Sequence, residues 1–382
     1  MWVGRSLLVA VALAGFAHGQ DPALPPQSAK LAPEITDSAD EADAELRERC
    51  FAAADRALAW LAAQQGEHGE FQGDVGQKME DEYIVYRSAQ DNRVLGQGHI
   101  GLSSLAGMAF LAGGHLPGRG TYGENVRKVV DYVIAHTTES GYVTDGGTRM
   151  YSHAFATLFL AEVNGMTPDN RLRDALDRAV RLIVDCQNAQ GGWRYNPFAT
   201  DADMSVTVCQ LQALRAAHNI GIRVPKSTID AAVAFVMRAR SDRGSDRGLY
   251  YYKTQGRGAW TKNREYAINA AAATALLSAG IHDDELHAPT LDWLDRSYGS
   301  VSRWFPTHYY YWYGNYYACQ AFFQAGGERF RNFERRIQED LLARQESDGR
   351  FRNDTGPGDV FATAVAALIL QIDKQYLPIF QR

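Results

Sequence analysis

The residues best suited to chemistry fall into three groups. Asp201 and Asp203 stand two apart in the run Asp201-Ala202-Asp203-Met204, and either carboxyl could serve as an acid. Asp203 also precedes a helix-forming stretch, where a carboxylate caps free backbone N–H groups, so capping and acid chemistry are both open to it. His153, following Tyr151 and Ser152, could act as a base; a lone histidine at a helix start is more often held by local hydrogen bonds. Tyr309, Tyr310, Tyr311, Trp312, Tyr313, Tyr316 and Tyr317 crowd into nine residues, and Tyr250, Tyr251, Tyr252 and Trp260 form a second aromatic group. Packing accounts for part of such a set. Rings left at a surface could hold an isoprenoid, stabilise a cation or stack on a sugar.

These residues must be positioned by a repeat. Gln, three residues, Gly, one residue and an aromatic recur as Gln65-Gly69-Phe71, Gln187-Gly191-Trp193 and Gln345-Gly349-Phe351. Each copy follows an amphipathic segment: Leu172, Leu176, Val180 and Ile183 recur at steps of three or four, as do Phe333, Ile337 and Leu341. A second, uniformly apolar helix follows each copy, at 101–112, 204–217 and 360–372. Weaker copies pair 124–135 with 151–164 around Gly141-Tyr142-Val143, and 226–240 with 266–279 around Gly248-Leu249-Tyr250. A third pairs 286–298 with 316–325 around Trp304-Phe305. Gly113, Gly165, Gly221, Gly280 and Gly326 are placed to end helices. A helix that is apolar all round must be covered on every side, whereas an amphipathic one can face solvent. About six inner helices ringed by six outer ones satisfy both. The predicted fold is an all-α, α/α toroid whose last hairpin touches its first.

The Gln-x3-Gly-x-aromatic element after an amphipathic helix resembles the QW-type repeat of squalene and hopene cyclases. The hairpin order resembles the toroid they share with protein prenyltransferase β subunits, over residues 46–378. By that resemblance the Gln ties loop backbone to a helix terminus and the aromatic packs beside it. The run around Asp203 is also similar to the D-x-D-D run from which such cyclases protonate an alkene, but Met204 replaces its last Asp. Prenyltransferases hold zinc through an Asp and a Cys two apart; Ser205 stands where the thiolate would be, and Ser is a poor zinc ligand. No Asp-Asp-x-x-Asp run and no thioester sequence is present. No metal or cofactor is expected.

The inner helices of a toroid start at one rim, so polar and aromatic residues there share a mouth. Asp203, Asp201 and His153 are the catalytic candidates. His99, Tyr266, His308, Tyr309, Tyr313 and Asp359 are the candidates for ligand contact, with capping as the plainer role for Asp359. Gly96 to Gly101 fits GxGxxG, but no strand leads into it, which argues against a dinucleotide site.

The 382 residues are 46% hydrophobic and carry a formal charge of −6, with Lys and Arg scattered, so no nucleic-acid footprint is expected. Arg5, the apolar stretch 6–17 and Ala17-His18-Gly19 read as a signal peptide over 1–19, hence an exported protein. Residues 20–45 read as a disordered linker and 46–382 as the toroid. No membrane span is expected once the leader is gone, because a span needs about 20 apolar residues. Cys50, Cys186, Cys209 and Cys319 match no zinc spacing and read mainly as buried thiols. Three functions fit: a binding or interaction module without intact cyclase or zinc motifs, an enzyme using an Asp acid on a hydrophobic isoprenoid, and a carbohydrate-active α/α barrel. The partner would be an isoprenoid, a glycan or another protein.

Overall fold

Amphipathic and uniformly apolar helices alternate along the chain. The computed structural model describes residues 37–73, 78–79, 82–83, 98–145, 148–256, 259–261 and 263–380. The outer helices are α1 (Asp37–Gln64), α3 (Gly123–Ala135), α5 (Asn170–Asp185), α7 (Lys226–Arg238), α9 (Asp284–Trp304) and α11 (Gly327–Arg344). The inner ones are α2 (Ile100–Ala112), α4 (Met150–Met166), α6 (Met204–Asn219), α8 (Tyr266–Ser278), α10 (Tyr309–Ala325) and α12 (Asp359–Leu370). Among the described residues the only strands are the two-residue antiparallel pair Lys78–Met79 and Glu82–Tyr83.

Polarity sorts the two sets, as hydrophobic periodicity requires. In α5 the buried residues are Leu172, Ala175, Leu176, Ala179, Val180, Leu182 and Ile183, one face of the helix. In α2 every residue is buried, and α8 and α12 are nearly so. Each inner helix packs on the next, from α2 through α4, α6, α8 and α10 to α12, and α12 packs back on α2. The ring is closed. The described residues from 43 onward form one compact body.

The three Gln–Gly–aromatic copies make the same contacts. Gln65 Nε2 donates to its own loop at Gly69 O and to Asn125 O of α3 at 3.0 Å. Gln187 does so to Gly191 O and to Thr228 O of α7, at 2.9 and 2.8 Å. Gln345 donates to Gly349 O and to Ala53 O of α1, at 2.9 and 2.7 Å, which closes the outer ring. Each Gln therefore binds the next outer helix, in its first turn for α3 and α7. Gly191 has φ +85°, and a Cβ there would collide with the Ala231 carbonyl of α7; only glycine lets the loop lie this close. The aromatic ring is buried in all three copies, and its backbone N–H donates to a hydroxyl near the start of the following inner helix. Those pairs are Phe71 with Ser103, Trp193 with Thr207 and Phe351 with Thr363, at 2.8, 3.2 and 3.0 Å.

Several details differ from the sequence reading. Helix α1 begins at Asp37, inside the stretch read as linker; the leader and residues 20–36 lie outside the described residues, as do Gly96 and Gln97 of the GxGxxG run. Helix α9 runs through to Trp304 and α10 begins at Tyr309, so the Trp304-Phe305 pair ends a helix instead of marking a loop copy. Gly221, Gly280 and Gly326 follow helix ends with positive φ, but Gly165 lies inside α4. The four cysteines are free and buried. Among the described residues no helix is long and apolar enough to cross a membrane.

Candidate functional site

Asp203 caps α6 from an extended backbone. Its Oδ1 accepts from the Val206 N–H at 2.9 Å and the Ser205 hydroxyl at 2.7 Å, and its Oδ2 accepts from the Arg194 guanidinium. The side chain is fully buried. Both oxygens thus face donors.

Arg194 gathers the rest. Its Nε lies 3.3 Å from Asp201 Oδ2, one Nη donates to the Tyr252 hydroxyl at 3.2 Å, and the guanidinium lies 4.2 Å from the centre of the Tyr195 ring. Lys253 Nζ donates to Asp201 at 2.9 Å, and the Tyr195 and Tyr252 hydroxyls are 2.9 Å apart. Two carboxylates thus face two cations. Burial opposes the Asp201 anion, but the Lys253 hydrogen bond and the Arg194 charge outweigh it and hold its carboxyl below the usual range. Burial, then the Asp203 charge, push the Tyr252 hydroxyl well up, so it stays a neutral donor and acceptor. Asp201 is 41% exposed and is the cluster's opening to solvent.

The repeat explains the placement. Trp193 is locked by its indole N–H on Ile183 O at 2.8 Å, which aims the next residues, Arg194 and Tyr195, at the mouth. Tyr250 occupies the same place one hairpin on, so Tyr252 and Lys253 follow it to the same mouth; the Met204 N–H to Tyr252 O bond of 3.0 Å joins the two loops. Arg194, Tyr195 and Lys253 were not singled out from sequence. The signal was their position just after the buried ring of each copy.

Beneath the cluster, side chains of the inner helices meet across the ring. Tyr313 of α10 donates to Ser205 O of α6 at 3.1 Å, and Tyr151 of α4 hydrogen-bonds the Ser205 hydroxyl. Deeper, Cys209 Sγ of α6 lies 3.1 Å from the Tyr317 hydroxyl of α10, and Gln212 donates to Gln320 at 2.6 Å. Phe155 of α4 meets Tyr316 of α10, directly across the ring, with ring centres 5.8 Å apart. Near the far end, Glu162 accepts from the Ile379 N–H at 3.2 Å, its carboxyl pushed up to about 8 by burial.

The other candidates disperse. His153 Nδ1 accepts from the Val143 N–H at 3.1 Å. It sits four residues into α4, as Ser103 and Thr207 do in α2 and α6, and Asn269 does the same in α8 by accepting from Tyr250 N–H at 2.8 Å. The histidine holds a loop, and burial lowers its pKa to about 4. Tyr266 is buried and donates to Asn315 at 3.0 Å. Asp359 is the first residue of α12, and it does not cap that helix; its Oδ1 accepts from Asn353 N–H at 2.8 Å. His308 caps α10 and stacks with Tyr309 and Tyr310 at 4.6 and 4.9 Å. His99 caps α2, and burial lowers it to about 4. Near it a cleft of about 700 Å³ is lined by Glu70, Tyr132, His136 and Asp145, with Tyr132 donating to Asp145 at 2.6 Å; none of these was expected. Among the described residues no three His, Cys, Asp or Glu side chains come close enough to hold a metal.

No protein family's sequence profile matches the chain, and no curated protein matches it in sequence. Solved structures do resemble it in fold. An α-1,6-mannanase of a Salegentibacter species, solved as an inactive double-aspartate variant with α-1,6-mannotriose, aligns with a TM-score of 0.59 at 10% identity, covering 86% of this chain and 99% of that one. A type II terpene cyclase from Scytonema, in complex with geranylgeranyl dihydroxybenzoate, aligns at 0.56 and 12% identity, covering 87% and 99%. The fold class is therefore the α/α toroid that both enzymes share. At these identities the likeness concerns the fold alone.

Proposed function

We propose that this toroid binds a glycan at its mouth, on the cluster of Asp201, Arg194, Lys253 and Tyr252, with Asp203 as the residue that positions Arg194. The observation that carries this reading is the set of side-chain contacts that cross the lumen. A polyene needs a deep apolar cavity, whereas here Phe155 and Tyr316 meet across the ring and Cys209 of α6 meets Tyr317 of α10. What remains accessible is a rim of hydroxyl, carboxylate and cationic groups beside aromatic rings, the mixture that reads the polar edge and the C–H face of a sugar. The mannanase, of similar fold, holds a sugar chain; the cyclase, of equal likeness, holds an isoprenoid, and the contacts across the ring favour the sugar.

Asp203 acts as a positioning residue and not as the alkene acid, because its oxygens are spent on Arg194, Ser205 and the helix N-terminus. Calorimetric titration with α-1,6-mannose, cello- and xylo-oligosaccharides should give saturable binding to one series. Incubation with squalene or geranylgeranyl diphosphate should give no product. Turnover of either polyene, with no glycan bound, would overturn the proposal; cleavage of a bound glycan would turn the binder into a glycosidase.

A further inference from the structure

Two backbone oddities stand beside the proposed site. Among the described residues only three non-glycine residues have a positive φ, and two are large aromatics: Phe198 at +57° and Trp260 at +59°. A bulky side chain in that region is strained, and such strain persists only where the surroundings impose it. Both rings are also out in solvent, 65% and 55% exposed. Folding gains nothing from presenting strained aromatics to water.

The surroundings do impose it. Asn188 holds the Phe198 loop by donating to Ala199 O and Asp201 O, at 3.3 and 2.6 Å. The Trp260 N–H donates to Lys253 O at 2.9 Å, and its ring meets Tyr251 edge-on at 5.4 Å. Each aromatic is thereby linked to a member of the cluster, Phe198 through Asp201 and Trp260 through Lys253. The next connection, from α9 to α10, carries Trp304 and Phe305, 72% and 40% exposed. Three successive outer-to-inner connections, all on the mouth side, therefore each present an aromatic. They are separate rings on a polar rim, not one apolar face, which is unlike a protein-docking patch.

We infer that the ligand is an extended, uncharged glycan chain laid along this arc, its successive sugars stacking on Phe198, Trp260 and Trp304. Neutrality follows from the balance at the centre: Asp201 and Asp203 are matched by Arg194 and Lys253, so an anionic sugar would meet the exposed Asp201 carboxylate and a cationic one would meet the guanidinium. The length follows from the spacing, because neighbouring helices lie about 8–10 Å apart and an arc over three hairpins outreaches a single sugar.

This rests on the glycan reading of the mouth, and the test separates the two. Neutral oligosaccharides of one, two, four and six units from the three series above, together with polygalacturonate hexamer, are titrated against the full chain. Affinity should rise by roughly 10-fold or more from two to six units, with the uronate excluded. Phe198→Gly and Trp260→Gly should each weaken the hexamer about 10-fold, leave the dimer nearly unchanged and raise Tm, since glycine relieves the left-handed strain. Length-independent binding, or Gly variants that bind the hexamer as the parent does, would overturn the arc while leaving the mouth site standing. Preference for the uronate would overturn neutrality. Failure of the parent to bind any sugar would remove both.

Discussion

Asp203 and Asp340 are built from the same parts. Asp340, on α11, accepts from the Tyr298, Tyr311 and Ser302 hydroxyls at 2.7, 2.9 and 2.9 Å and pairs with Arg344 at 2.7 Å. Arg344 lies over the Tyr311 ring at 4.7 Å, much as Arg194 lies over Tyr195. What differs is what surrounds them. Asp340 joins α9, α10 and α11 in the wall, its tyrosines are buried, and its geometry welds three helices. Asp203 stands at the mouth, connected through Arg194 to a half-exposed carboxylate, a lysine and strained aromatics in solvent. The composition of a polar cluster does not declare its role. Its position in the ring does.

Asp340→Ala would leave Arg344 half-buried without its partner and three hydroxyls without their acceptor, so denaturant unfolding should show a loss of about 3–5 kcal/mol. The fraction that stays folded should bind glycan normally. At the mouth the order reverses. Asp201→Asn should weaken glycan binding about 10-fold, yet cost only about 1–2 kcal/mol of stability, because its own side chain is 41% exposed and the amide oxygen still accepts from Lys253 and Arg194. Equal effects of the two substitutions on folding, or on binding, would erase the distinction.

Two further effects depend on pH. Burial opposes the Asp340 anion, but Arg344 and the tyrosine hydrogen bonds outweigh it and depress its carboxyl below the ordinary value. Its stabilisation is therefore fully present above the unfolded value near 4 and lost as pH falls through the lower folded value. Asp340→Asn should flatten the acid limb of the stability curve below about pH 4. Glu162 runs the other way. With a folded value of about 8 it prefers its proton, so stability declines as pH rises from the unfolded value near 4.3 through 8. Glu162→Gln should remove that decline, which a Tm series from pH 5 to 9 would register.

Local pattern carried most of the fold. Periodicity in the outer helices and its absence in the inner ones assigned the layers, because burial on one face or on all faces leaves its mark residue by residue. The capping role of Asp203 was legible in the same way, since a cap depends on the three residues that follow it. His153 was readable only in part: local hydrogen bonding was expected of it, but Ser103, Thr207 and Asn269 do the same job with different chemistry, and only superposed hairpins reveal one position. Arg194, Lys253 and Asp201 come from two loops about fifty residues apart, and no spacing rule predicts their meeting.

By itself, then, the sequence determined that paired helices must close into a ring, because apolar surface on every side of a helix can be hidden in no simpler way. Whether the ring would enclose a cavity was decided only in three dimensions. That outcome depends on the volumes of Phe155, Tyr316, Tyr317 and Gln320 arriving from opposite walls, a sum over distant residues that no local window contains.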